Sequence, residues 1–103
     1  MTKYHRHIHT SSRKKAPKLI DKIIYIAAVL EPALVIPQIL RIFSTREADG
    51  VSLSTWVGFE VMTAIWLWYS AEHKQKMVFL YSVLFFIVQG LVIIGGLIYG
   101  AKW

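Results

Sequence analysis

From Met77 to Tyr99 the chain carries no Asp, Glu, Lys or Arg. At about 1.5 Å per residue, an uncharged apolar segment of that length crosses the ~30 Å hydrocarbon core of a bilayer as an α-helix, the form in which a lone segment satisfies its own backbone there. Two more segments are predominantly apolar, with few charges, from about Leu19 to Phe43 and from about Leu53 to Ala71. The charges crowd instead into the first 22 positions and two short loops. A soluble chain of 103 residues spreads its charges over every exposed face, and with 55% of its residues hydrophobic this one can place its apolar surface only against lipid. The predicted fold class is all-α and integral to the membrane, with three transmembrane helices.

Two regions follow, a basic polar tail over residues 1–18 and a membrane domain over 19–103. Lys3, Arg6, Arg13, Lys14, Lys15, Lys18 and Lys22 supply most of the formal net charge of +6. Beside an apolar helix such a cluster predicts attraction to anionic lipid headgroups. Nucleic acid has the same electrostatic preference, but no recognition helix or stacking platform accompanies the cluster, so none is expected as a partner. His5, His7 and His9 alternate among cations on no rigid scaffold, which predicts a solvated tail and no metal site. The apolar stretch that follows is too long for a signal peptide and lacks a small-residue cleavage site, so the first helix is expected to be retained. Three spans put the two ends on opposite sides. Nine Lys and Arg lie with the amino terminus and the second loop, Glu72 to Lys76, against Arg41, Arg46 and Lys102 on the other side, which predicts a cytoplasmic amino terminus.

The first helix is interrupted from within. Glu31, Pro32, Pro37 and Gln38 lie in its second half, and each proline removes a backbone donor and crowds the carbonyl four residues earlier, which predicts a kink or hinge. Each helix also carries one polar stripe. Ser82, Gln89 and Gly96 recur every seven residues on the third, Glu60, Thr63, Trp66 and Ser70 share one side of the second, and Glu31 and Gln38 share a face with Ala27 on the first. Lipid does not tolerate such stripes, whereas a packed interface or a water-filled cavity does. No catalytic constellation appears: there is no G-x-S-x-G, no P-loop, no cysteine, and His5, His7, His9 and His73 all lie outside the spans. No enzyme activity, cofactor or metal is expected.

Pro37-Gln38 closes an apolar helix, Arg41 and Ser44 follow in a basic, hydroxyl-bearing turn, and Gly50-Val51-Ser52-Leu53-Ser54 opens the next helix. Here the chain resembles the PQ-loop superfamily. Trp66-Leu67-Trp68-Tyr69 at the end of helix two is similar to the pattern of the SemiSWEET branch of bacterial sugar and small-solute transporters. The resemblance covers residues 19–100. It implies a three-helix bundle with the third helix between the first two, paired in parallel with an identical copy so that six helices enclose a solute path worked by alternating access. Packing asks for the same partner, since three helices at about 8–10 Å between axes leave no room for a solute, whereas six about a two-fold axis do. Gly96 and Gly100 form a small-xxx-small pair suited to close helix approach. The resemblance further implies a multi-pass protein of the bacterial inner, or plasma, membrane. In it Trp66 would stack on the solute, Ser82 and Thr63 would hydrogen-bond it, and Pro37-Gln38 would serve as gate and hinge.

The chain departs from the family pattern at Ser82, at Met77 and at Glu31-Pro32. Ser82 stands where the family carries an asparagine that hydrogen-bonds the sugar, and Met77 stands where a proline commonly opens helix three; a serine there makes a roomier pocket with fewer donors. Glu31-Pro32 stands where relatives carry small hydroxyl residues. With Glu60 it gives two carboxyls per chain at membrane depth, candidates for proton coupling. Two alternatives therefore stay open beside sugar transport. One is a proton-coupled amino-acid or cationic-solute transporter of the PQ-loop type, in which Glu31→Gln would remove stimulation by a proton gradient. The other is a non-transporting membrane adaptor, whose function would depend on residues 1–18 and not on Trp66.

Overall fold

The computed structural model of the chain describes residues 18–103. The tail histidines and the basic residues before Lys18 lie outside the described residues. Four helices follow one another: α1 (Leu19–Ala33), α2 (Ile36–Thr45), α3 (Leu53–Glu72) and α4 (Lys76–Ile98). At the start of α1 the Asp21 carboxylate accepts a hydrogen bond from the Lys18 backbone N–H at 2.9 Å, satisfying one of the donors a helix start leaves free.

The expected single helix from Leu19 to Phe43 is two helices, and the break falls at Leu34 and Val35, ahead of Pro37-Gln38. Both prolines set it. Pro32 has no N–H for the Ala28 carbonyl, and Pro37 has none for that of Ala33. Between them the Leu34 N–H is shared by the Leu30 and Glu31 carbonyls at 3.0 and 3.1 Å, and the Val35 N–H donates to Pro32 three residues back at 3.0 Å. That is a tightened 3₁₀ turn, after which the chain restarts as a helix. Pro37 sits in the first turn of α2, where its missing N–H would have had no partner in any case. The break thus falls between the two prolines, and Pro37-Gln38 opens α2 just after it.

Helices α3 and α4 lie within one residue of their predicted ends. Ser52 caps α3, its hydroxyl accepting from the Thr55 N–H at 3.4 Å. Residues 73–75 turn the chain into α4, with Lys74 in the left-handed region at φ 54°. Gly100, at φ 78°, ends α4 in a Schellman turn in which the Ala101 N–H donates to the Gly96 carbonyl at 2.8 Å. The chain then lies beside the start of α3, where the Leu53 N–H donates to the Lys102 carbonyl at 2.8 Å.

Helix α4 packs against each of the other three. Two glycines allow the closest approaches. A Cβ on Gly95 would lie 2.8 Å from Ile42 Cγ2 and 3.0 Å from the Phe43 ring, and one on Gly96 would lie 2.8 Å from Leu53 Cδ2. Tyr99 closes the same end with an edge-to-face contact on Phe43, ring centroids 5.8 Å apart.

The distribution of side chains is the reverse of a soluble domain's. Apart from Leu53 and a small apolar knot around Ile42, Val51 and Val92, the covered residues are Thr63, Ser70, Ser82, Gln89 and small ones such as Gly95 and Gly96. Leu19, Leu34 and Trp68 meanwhile stand about 70% exposed on the outside. Small and hydrogen-bonded residues between helices with large apolar ones facing out is the pattern that lipid selects. Two helical stretches, Leu19–Thr45 and Lys76–Ile98, are long and apolar enough to cross a membrane. Helix α3 has 20 residues, about 30 Å at 1.5 Å each, but Glu60, its hydroxyls and its tryptophans lower its hydropathy. The chain is an all-helical membrane protein.

Candidate functional site

The covered polar stripes of α3 and α4 run into a pocket of about 350 Å³, open at one side, with α1 as its third wall. Glu31 comes from the last turn of α1, Thr63 and Trp66 from α3, and Tyr81, Ser82 and Phe85 from α4. The helical repeat explains the grouping: Thr63 and Trp66 are three apart and Tyr81 and Phe85 four apart, so each pair presents one face.

Trp66 stands 56% exposed at the open side, steadied by an edge-to-face contact with Tyr69 at 5.9 Å. Ser82 is 1% exposed, and its hydroxyl has no hydrogen-bond partner among the described residues. A buried hydroxyl facing a cavity without a partner is a donor and acceptor in reserve for whatever enters. The Tyr81 phenol lies beside the Glu31 carboxyl, and Tyr81 meets Phe85 edge-to-face at 4.9 Å.

Thr63 ties the pocket to the α3–α4 seam. Its hydroxyl lies 2.8 Å from the Phe59 carbonyl and 2.9 Å from Gln89 Oε1. One hydroxyl proton serves only one of these two acceptors. Turning the Gln89 amide over resolves the conflict: its NH₂ then donates to Thr63, which donates to Phe59. One turn back along α3, Glu60 lies against α4, where the absence of a side chain at Gly90 makes room for it. A Cβ there would lie 3.1 Å from Glu60 Oε2. Glu60 Oε1 is covered and without a partner.

Of the residues singled out in the sequence, Trp66, Thr63, Ser82 and Glu31 are brought together on this one pocket. Glu60 lies outside its lining, on the seam below Thr63, and Pro37 and Gln38 lie outside it on α2. Tyr81 and Phe85 were not anticipated from the sequence. Tyr81 precedes Ser82 on α4 and Phe85 lies one turn beyond it, and which neighbours of Ser82 face the pocket is set by how the helices are rotated against one another.

No protein-family model matches the chain, and no solved structure matches it. The sugar transporter SemiSWEET of Vibrio sp. (strain N418) is 21% identical to it over 80 residues, covering 76% of this chain and 82% of that relative. In sequence over most of its length the chain is similar to a SemiSWEET, in keeping with the PQ-loop superfamily.

Proposed function

We propose that the chain moves a small polar solute, a sugar, across a bacterial inner membrane by alternating access through the interface of a parallel homodimer. The observation that carries this reading is the pocket: an indole face, two hydroxyls and a carboxyl converge on a cavity open at one side. A half-open cavity of this size becomes an enclosed path when a second copy closes it. The indole suits the C–H face of a pyranose, while the Ser82 and Thr63 hydroxyls suit its polar edge. Helix α3 serves as the third span, because Thr63 and Ser70 are covered by the packing and its remaining outward residues, Met62, Ile65 and Trp68 among them, suit lipid. The 3₁₀ turn between α1 and α2 gives α1 a bend at which one mouth can open or close.

Uptake of labelled glucose into liposomes holding the purified protein tests the proposal. Saturable uptake that falls with Trp66→Ala is expected. Absence of uptake for every solute tried, with the protein folded, would overturn it.

A second reading, proton-coupled movement, is favoured by Glu60, whose Oε1 is covered and unpartnered one turn from the pocket residue Thr63. An inward proton gradient separates the two readings. Stimulated uptake that disappears in Glu60→Gln supports coupling, and uptake indifferent to the gradient removes it.

A further inference from the structure

We infer that the pocket takes a solute bearing an amine, whose ammonium group rests on Glu31 between the Tyr81 hydroxyl and the aromatic faces of Trp66 and Phe85. This deepens the transport reading above and rests on it, naming the class of its solute.

Charge balance carries the inference. Glu31 lines the pocket at membrane depth, and no Lys, Arg or His is among the lining residues. Glu31 is exposed along this open pocket, within reach of whatever enters, and a cation supplied by the solute complements its carboxyl where a neutral hydroxyl does not. Its surroundings fit an ammonium group. Tyr81 lies beside the carboxyl, whose oxygens can accept N–H bonds from an ammonium group. Trp66 and Phe85 offer ring faces of the kind that attract cations within about 6 Å.

The remaining wall suits the rest of such a solute. Ser82 and Thr63 supply hydroxyls for a polyol edge, and the Ser82 hydroxyl has no partner among the described residues. In a parallel dimer two Glu31 carboxyls would face one shared cavity, which strengthens the preference for positive charge. Glucose and glucosamine differ by one hydroxyl exchanged for an amine, so the pair isolates the charge with little change in shape.

The experiment uses the full chain in liposomes, with labelled glucosamine and glucose as probes at about pH 6.5, below the ordinary range of an α-amino group. A thermal shift of the detergent-solubilised protein with each probe runs beside it. Uptake efficiency for glucosamine at least tenfold above glucose is expected, with that ratio collapsing toward one in Glu31→Gln. Equal uptake of the two sugars by the native chain, or a preference that persists in Glu31→Gln, overturns the amine assignment and leaves transport standing. No uptake of either probe, with a thermal shift for glucosamine alone that Glu31→Gln loses, upholds the amine site and removes the transport reading. No uptake and no shift with either probe removes both.

Discussion

At the scale of single residues, the pocket and the seam make opposite demands on similar side chains. The Ser82 hydroxyl is covered but bonded to nothing, so Ser82→Ala removes no interaction of the resting protein. Its unfolding midpoint in detergent is expected to match the parent's while apparent solute affinity falls several-fold in uptake assays. Thr63→Val keeps the shape but strips Gln89 of its partner across the helices. That bond is worth on the order of 0.6 kcal/mol between membrane helices, so a lower midpoint is expected. Trp66, already more than half exposed, contributes little to holding the helices together. Trp66→Ala should leave the midpoint in place and weaken solute binding roughly tenfold, about 1.4 kcal/mol, measured by titration of the purified protein. Gly95→Ala belongs to the other class. Its methyl would meet Ile42 and Phe43 at 3.0 Å or less, and overpacking of that kind costs about 1–3 kcal/mol, read as a lowered midpoint. Gly58 has no neighbour within 4 Å of an added Cβ, so Gly58→Ala is the control that should lower nothing.

At the scale of elements, the decisive piece is the bend between α1 and α2. Two missing N–H groups, at Pro32 and Pro37, leave the carbonyls of Ala28 and Ala33 without their usual donors, and one tightened turn separates two helices. Restoring both donors in the double variant Pro32→Ala, Pro37→Ala should allow one continuous helix. Greater helical content by circular dichroism and slower uptake, with binding retained, are the expected results; unchanged uptake would show that α1 does not move at this bend. That a break occurs was legible from the prolines, but its position was not. Pro37 is the more visible residue in the sequence, yet a proline in a first turn is harmless, and which proline opens a helix is settled only by where the chain restarts. Helices α3 and α4 were legible to within a residue, because their bounds are set by charged loops against long apolar runs. The pocket was half legible. Trp66, Thr63, Ser82 and Glu31 stand out as polar or aromatic members of periodic stripes. Tyr81, Phe85 and the Thr63–Gln89 hydrogen bond arise from how α1 and α3 are rotated against α4, and no single helix's periodicity carries that rotation.

At the scale of the whole molecule, the open side of the pocket and the charge of the loops together constrain how two copies can sit in a membrane. Nine Lys and Arg, Lys18, Lys22, Lys74 and Lys76 among them, belong to the amino-terminal side and the α3–α4 turn, against Arg41, Arg46 and Lys102 on the other side, where Asp49 sits in the turn between α2 and α3. Lys-rich short loops stay on the cytoplasmic side, so every copy should insert the same way, and two copies inserted alike can pair only in parallel. The chain has no cysteine, which makes each introduced one a unique reporter. In intact bacterial cells a membrane-impermeant thiol reagent should label Asp49→Cys fully and leave Lys74→Cys unlabelled until the membrane is opened. An antiparallel pair, as a dual-topology protein would form, gives half labelling at both positions instead. Full labelling of Lys74→Cys with protection of Asp49→Cys would keep the copies parallel but invert them, and would mean that the basic residues at the α1 end do not set the topology. Pairing itself is read separately, from the mass of the protein in lipid nanodiscs. Twice the chain mass is expected, and a transport-competent monomer would show that one copy closes the pocket without a partner.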